Sequence, residues 1–147
     1  MPKVAGILLA KNNSKYLLVK EGWGNCRGMW SLPGGEQEIR EDIFTCAKRE
    51  GKEETGFTFE LLKVVGFYQQ YLCYANEDIL GVVFEAKIIG GEEALTEETL
   101  GIGYFSKSEI WEMEKNKLLR FPNILRMIED YEAGKGFSLS CITVLSQ

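Results

Sequence analysis

The chain opens on an apolar run at residues 4–10, breaks at Lys11-Asn12-Asn13-Ser14, and resumes apolar at residues 16–19. Two such runs around a short polar turn predict a β-hairpin. Residues 21–28 read as a glycine-rich loop carrying Trp23, Cys26 and Arg27. Residues 30–32 read as a short strand that stops at Pro33, and Gly34-Gly35 permits a tight turn and close approach of the backbone to a ligand. From Asp42 to Gly56 the spacing becomes helical, with Asp42 as N-cap and Gly56 just past the C-terminus. Residues 57–67 and 68–74 read as extended, with Gly66 as a bend or bulge. The apolar stretch 79–89 predicts a central strand ended by Gly90-Gly91. Residues 92–103 read as an acidic loop, Tyr104-Phe105 as a short strand, and Ser106 as the cap of a helix through about Lys115. Phe121-Pro122 opens a last helix with Ile124, Leu125, Met127 and Ile128 on its apolar face, ended by Gly134-Lys135-Gly136. The tail, 137–145, alternates apolar and polar residues, as an added strand or a partner contact would.

This order of elements fits an α+β fold or an α/β/α sandwich. There is no internal repeat, linker or low-complexity tract, and 147 residues suffice for one domain with a real core. The net charge of −5 and the absence of a basic run predict neither a nucleic-acid polymer nor an anionic membrane as partner. No apolar segment approaches the roughly 20 residues that span a bilayer. The N-terminal apolar run follows a single lysine and breaks at Lys11, so it reads as a first strand rather than a secretion signal. Cys26, Cys46, Cys73 and Cys141 form no C-x-x-C pair, which fits reduced thiols and a cytoplasmic location. The chain has no histidine, so Ser-His and Cys-His nucleophile pairs are excluded and carboxylates with a metal are left to do any chemistry.

The predicted helix supplies such carboxylates. On a helical wheel Ile43, Cys46 and Ala47 form an apolar stripe, and Glu50 and Glu54 fall where its next apolar members belong. Glu53 lies beside them. Taken alone, acidic and basic residues on a helix are a solvated face. Here they continue the buried stripe, where mutual repulsion and desolvation need a neutralising partner. Hard oxygen ligands suit Mg²⁺ or Mn²⁺. Arg49, four residues before Glu53, can hold these carboxylates through its planar fork.

The spacing Gly35, Glu41, Arg49-Glu50, Glu53-Glu54, Gly56-Phe57 resembles the Nudix box, G-x5-E-x7-R-E-U-x-E-E-x-G-U, where U is bulky and apolar. All seven fixed positions match, and at roughly 7% usage per residue type chance gives this about once in 10⁸ starting points. One position departs, Gly51 standing for the first U, and it reads as close backbone packing beside Phe44. Residues 29–35 also look like the family's lead-in strand and turn. The resemblance implies a mixed sheet between helices, and a Mg²⁺- or Mn²⁺-dependent hydrolase cleaving a phosphoanhydride in a nucleoside diphosphate linked compound. It implies metal ligands at the Gly35 carbonyl, Glu50, Glu53 and Glu54. Glu53 serves as alternative proton acceptor, and Glu41 as support for Arg49.

A remote general base is expected from the acidic loop, at Glu97 or Glu98, with Glu98 preferred. Arg27 and Lys20 can meet substrate phosphates, although most such residues are solvated. Tyr68, Tyr71, Tyr74, Trp23 and Trp30 can stack a base, and Tyr71 or Tyr74 is expected to do so. A tyrosine here resembles the dinucleoside polyphosphate group of the family, whereas the proline of ADP-ribose hydrolases and the coenzyme A motif are absent. The competing reading is a catalytically silent nucleotide sensor on the same fold, against which the full carboxylate set argues. An isoprenoid diphosphate isomerase lacks a Cys and His environment. A homodimer remains compatible with the sequence.

Overall fold

Alternation at the N-terminus produces the strand on which the sheet is built. In the computed structural model, which describes residues 1–72 and 75–145, β1 spans Lys3–Asn12. Its Leu8, Leu9 and Ala10 are buried on both faces, as a central strand requires. β1 pairs in parallel with β6 (Glu77–Gly91), which pairs antiparallel with β5 (Phe57–Leu72). On its other edge β1 takes the short β4 (Gly34–Glu36), through Ala5, Gly6 and Ile7.

The predicted hairpin forms only at its tip. β2 (Lys15–Glu21) pairs with β1 through Lys11↔Tyr16 and Asn12↔Lys15, then diverges to join β3 (Trp30–Ser31) and β7 (Thr99–Ser106). The strands split because β1 is already filled by β4 and β6. β7 begins five residues earlier than the expected strand at Tyr104, within the stretch read as an acidic loop. Gly101 and Gly103 hide its alternation. The Trp30 ring covers their backbone and packs edge-on against Phe105 with centroids 4.8 Å apart.

β5 is a single strand where two were expected, and its pairing with β6 slips at Gly66, the anticipated bulge. Gly51 does pack closely, but against Leu8 and Phe59 rather than Phe44, whose ring lies against Phe84.

The sheet lies between helices. α1 (Ile43–Thr55) covers one face through Ile43, Cys46 and Ala47, against Leu8, Phe59 and Phe84. α2 (Lys107–Lys115) and α3 (Ile124–Glu132) cover the other through Ile110, Ile124, Met127 and Ile128, against Leu9, Leu18 and Val83. Ser106 and Glu109 form a reciprocal capping box at the start of α2. α3 starts three residues after Phe121, and its Asn123 side chain donates to Gln70 instead of capping the helix. The tail contributes one bridge, Phe137 to Val64, before a 3₁₀ turn at Leu139–Cys141. The expected α/β/α sandwich is therefore the fold observed. Among the described residues no helix is long and apolar enough to cross a membrane.

Candidate functional site

α1 is set in place at both ends. Asp42 accepts hydrogen bonds from the Thr45 amide and hydroxyl, each at 2.8 Å, and Gly56 closes the C-terminus at φ 82° with its N–H on the Lys52 carbonyl. The buried stripe fixes the helix rotation, so Glu50 and Glu54 turn toward the Gly34-Gly35 turn of β4. The Gly34 amide donates to Glu54 at 3.2 Å. A Cβ on Gly35 would stand 2.3 Å from the Glu50 carboxyl carbon, so the space that glycine leaves empty is the seat of Glu50. The Gly35 carbonyl accepts from the Cys46 thiol at 3.5 Å. Burial pushes that thiol up to about 11 and keeps it protonated as a donor.

Arg49 gathers the remaining acids. Its Nε and Nη2 grip Glu41 at 2.6 and 2.9 Å, and Nη1 donates to Glu50 at 2.9 Å and Glu53 at 3.2 Å. Nη2 also donates to the Glu36 carbonyl at 3.1 Å, tying the helix to β4. The guanidinium holds the Glu41 carboxyl down to about 2. Glu50 is raised instead, burial outweighing its bond to Arg49. Glu54 is raised well above the usual carboxylate range by burial first and by the nearby Glu21 charge second. Its hydrogen bond from Gly34 only partly opposes this.

These observations test the fit of a divalent cation. The donors are hard oxygens, and Glu50 and Glu54 stay raised on one helix face even with Arg49 bonded to Glu50 and the Arg120 charge near Glu54, a disfavoured pair of charges that a divalent cation would relieve. Among the described residues no three acidic or sulfur side chains converge on a ready-made cage, so the carboxylates would close on a cation by rotamer change. Cys46 and Cys141 form no disulfide, and Cys73 lies outside the described residues.

The other expected site residues are dispersed. Tyr71 is 58% exposed and donates to Asn76 at 2.8 Å, because alternation along β5 turns it away from the cleft while its neighbours Gln70 and Leu72 face inward. Tyr74 lies outside the described residues. Tyr68 is spent on Asp130 at 2.9 Å, and Lys20 reaches over the Trp30 ring at 5.9 Å. Arg27 donates to the Gly22 carbonyl and shares a shallow groove with Trp23, Glu97, Glu98 and Leu100. Glu98 is exposed, and its carbonyl accepts from the Gly22 amide at 2.8 Å. Among the described residues no hydrogen bond or ion pair joins Glu98 or Arg27 to the α1 carboxylates.

Two participants escaped the sequence reading. Glu21 ends the apolar β2 at a register shift and is buried, with its carboxylate on Arg120 Nη1 at 3.1 Å. An acid at the end of an apolar strand was the available signal. Arg120 follows Leu119 in the α2–α3 connection and has no such signature. An apolar slot lined by Ile7, Leu32, Gln70, Phe121 and Met127 runs up to Gly34-Gly35. It adjoins a cleft of about 390 Å³ lined by Glu21, Trp23, Cys26 and Leu72. That volume is within the small-molecule range of roughly 300–1,000 Å³. Glu36, Ile79 and Arg120 line both.

The NUDIX domain model matches residues 1–126. A MutT-like protein of Streptomyces ambofaciens is 29% identical over 109 residues, covering 74% of this chain and 66% of that protein. An ADP-ribose pyrophosphatase of Methanocaldococcus jannaschii is 32% identical over 91 residues, covering 62% of this chain and 54% of that protein. The chain thus spans about half to two thirds of these relatives' own lengths. A solved NUDIX hydrolase from Nitrosomonas europaea superposes with a TM-score of 0.90 at 27% identity, over 99% of this chain and 98% of that one. A box helix turned onto a double-glycine strand, the matching domain model and this superposition agree: the chain belongs to the NUDIX domain family.

Proposed function

We propose that this protein is a hydrolase of a phosphoanhydride bond in a small nucleoside diphosphate linked compound, dependent on Mg²⁺ or Mn²⁺. The observation that carries this reading is Glu54, a half-buried carboxylate that accepts from the Gly34 amide and whose charged form is disfavoured by desolvation and by the neighbouring Glu21 and Glu50. A carboxylate kept there at a cost in desolvation needs a cationic ligand to account for it. Glu50, Glu54 and the Gly35 carbonyl would hold the cation, with Glu53 at the rim. A bound cation neutralises phosphate oxygens and makes a water acidic enough to attack at neutral pH. The protein's own part is positional. Gly34 orients Glu54, Arg49 draws Glu50 and Glu53 to one nitrogen, and Glu41 fixes Arg49. In this reading Glu53, exposed and on the same helix, takes the proton of the attacking water. Glu98 is retained only as an alternative for that role. The nucleoside lies in the slot and cleft beside β4.

Relatives named as a MutT-like protein and an ADP-ribose pyrophosphatase support this class of reaction. The test is a screen of nucleoside triphosphates, dinucleoside polyphosphates, ADP-ribose and nucleotide sugars with Mg²⁺ or Mn²⁺, reading phosphate and pyrophosphate release. Turnover that disappears on chelation and in Glu54→Gln is expected. Tight binding of a nucleotide without turnover would replace this reading with the sensor.

A further inference from the structure

From the Glu21–Arg120 pair we infer that Arg120 is a binding residue for an anionic phosphate group of the ligand, with Glu21 holding its guanidinium ready. The inference rests on the proposed nucleotide site and adds a residue to it. Three observations support it. Arg120 stands where the apolar slot meets the cleft and lines both. Its guanidinium lies 4.9 Å from the Phe121 ring centre and 3.1 Å from Glu21, while its amide donates to the Trp30 carbonyl at 2.9 Å, so backbone and side chain are both positioned. It is also the one cation lining the slot among the described residues. The cleft adds only Lys3, which Glu36 and Glu77 hold at 2.9 and 2.8 Å.

A polyphosphate approaching this site meets Glu21, Glu36, Glu50, Glu53 and Glu54. A cation on the α1 face offsets part of that field but leaves the side toward β2 acidic. Arg120 supplies positive charge on that side, beside the entrance to the slot. With 29% of its side chain accessible, the guanidinium keeps an exposed part that can donate to phosphate oxygens. Glu21 limits the entropy lost on binding because it has already selected the rotamer.

The test is calorimetric titration of the full chain, with Mg²⁺, by ADP, adenosine and inorganic pyrophosphate, run beside the hydrolysis screen. Arg120→Gln is expected to weaken ADP and pyrophosphate roughly tenfold or more and to leave adenosine unchanged. Arg120→Lys should recover part of the loss. Glu21→Gln, whose amide oxygen can still accept from Arg120 and hold its rotamer while the competing charge is gone, should leave ADP binding as tight or tighter. Because Arg120→Gln strands a buried carboxylate, the double variant Glu21→Gln with Arg120→Gln keeps the test open if the single one does not fold. Equal weakening of adenosine and ADP would overturn the assignment, as would wild-type binding in Arg120→Gln, parallel losses in Glu21→Gln and Arg120→Gln, or no binding of any of the three ligands by the wild type. Hydrolysis with unchanged Arg120→Gln affinity defeats this inference alone. Phosphate-selective weakening in a chain that hydrolyses nothing defeats the hydrolase and leaves the inference standing.

Discussion

Arg49 grips Glu41 through two hydrogen bonds, 2.6 and 2.9 Å long, while a third nitrogen of the same guanidinium reaches Glu50 and Glu53. Any influence of Glu41 on Glu50 and Glu53 is therefore expected to pass through Arg49. Glu41→Gln should lower kcat by roughly 10–100-fold, in the range measured for residues that orient metal ligands. KM should change much less. Steady-state kinetics decide, and a KM increase without loss of kcat would move Glu41 into substrate binding.

The same pair sets a pH dependence. Glu41 is held near 2 in the folded chain against an ordinary value of 4.5, so the unfolded chain binds the proton first as pH falls. The stability the pair contributes is present above about 4.5 and is lost as pH drops from there toward about 2. Denaturant midpoints of the metal-free protein should fall through that window. Glu41→Gln should lack this part of the fall. A variant that tracks the wild type throughout would show that the pair contributes nothing to folding.

Glu54→Gln should invert the response to metal. Without cation, a neutral amide beside Glu21 and Glu50 removes repulsion and a desolvated charge, so the variant should melt above the wild type at neutral pH. With millimolar Mg²⁺ or Mn²⁺ the wild type should overtake it, since a cation at 100-fold its Kd adds about 2.7 kcal/mol by mass action. Thermal scans with and without chelator report both orders. A wild type indifferent to cation would remove the site.

Gly51→Ala should destabilise the protein even though alanine is the better helix former by about 1 kcal/mol. The new methyl would stand 2.4 Å from Leu8 and 2.8 Å from Phe59, both buried. Overpacking of this kind costs about 1–3 kcal/mol, so the net loss should be visible in urea denaturation with an unchanged m-value.

Tyr71→Ala should leave KM at the wild-type value, because the ring is exposed and bonded to Asn76. Phe121→Ala should raise KM about tenfold or more, since base stacking contributes roughly 1–3 kcal/mol and is alike in ground and transition states. Phe121 lines the slot that leads to Gly34-Gly35. The opposite ranking would return the base to the outer face of β5.

Local signals in the sequence are sound wherever one residue has one structural duty. Asp42, Gly56, Ser106 and the Gly66 bulge are each found where capping and turn chemistry put them. The stripe of Ile43, Cys46 and Ala47 is buried as read, but its buried continuation is Gly51 and Thr55, with Glu50 and Glu54 half-buried along its edge. Long-range features are not legible in this way. β7 is hidden because Gly101 and Gly103 carry no side chain to mark a face, their cover coming from Trp30, some seventy residues earlier. Tyr71 and Arg120 show the same limit. Which side of β5 faces the cleft depends on pairing with β6, and Arg120 reaches Glu21 across ninety-nine positions of chain.

The segment from Trp30 to Glu36 pairs with β2 at one end and with β1 at the other, while β1 and β2 meet only at their tip. A wedge in the sheet is thus spanned by a single short strap, and the strap carries the Gly34 amide and the space at Gly35. A change in the opening of the wedge would therefore move the seats of Glu50 and Glu54 relative to α1, so ligand affinity is expected to follow the stiffness of the sheet at this point.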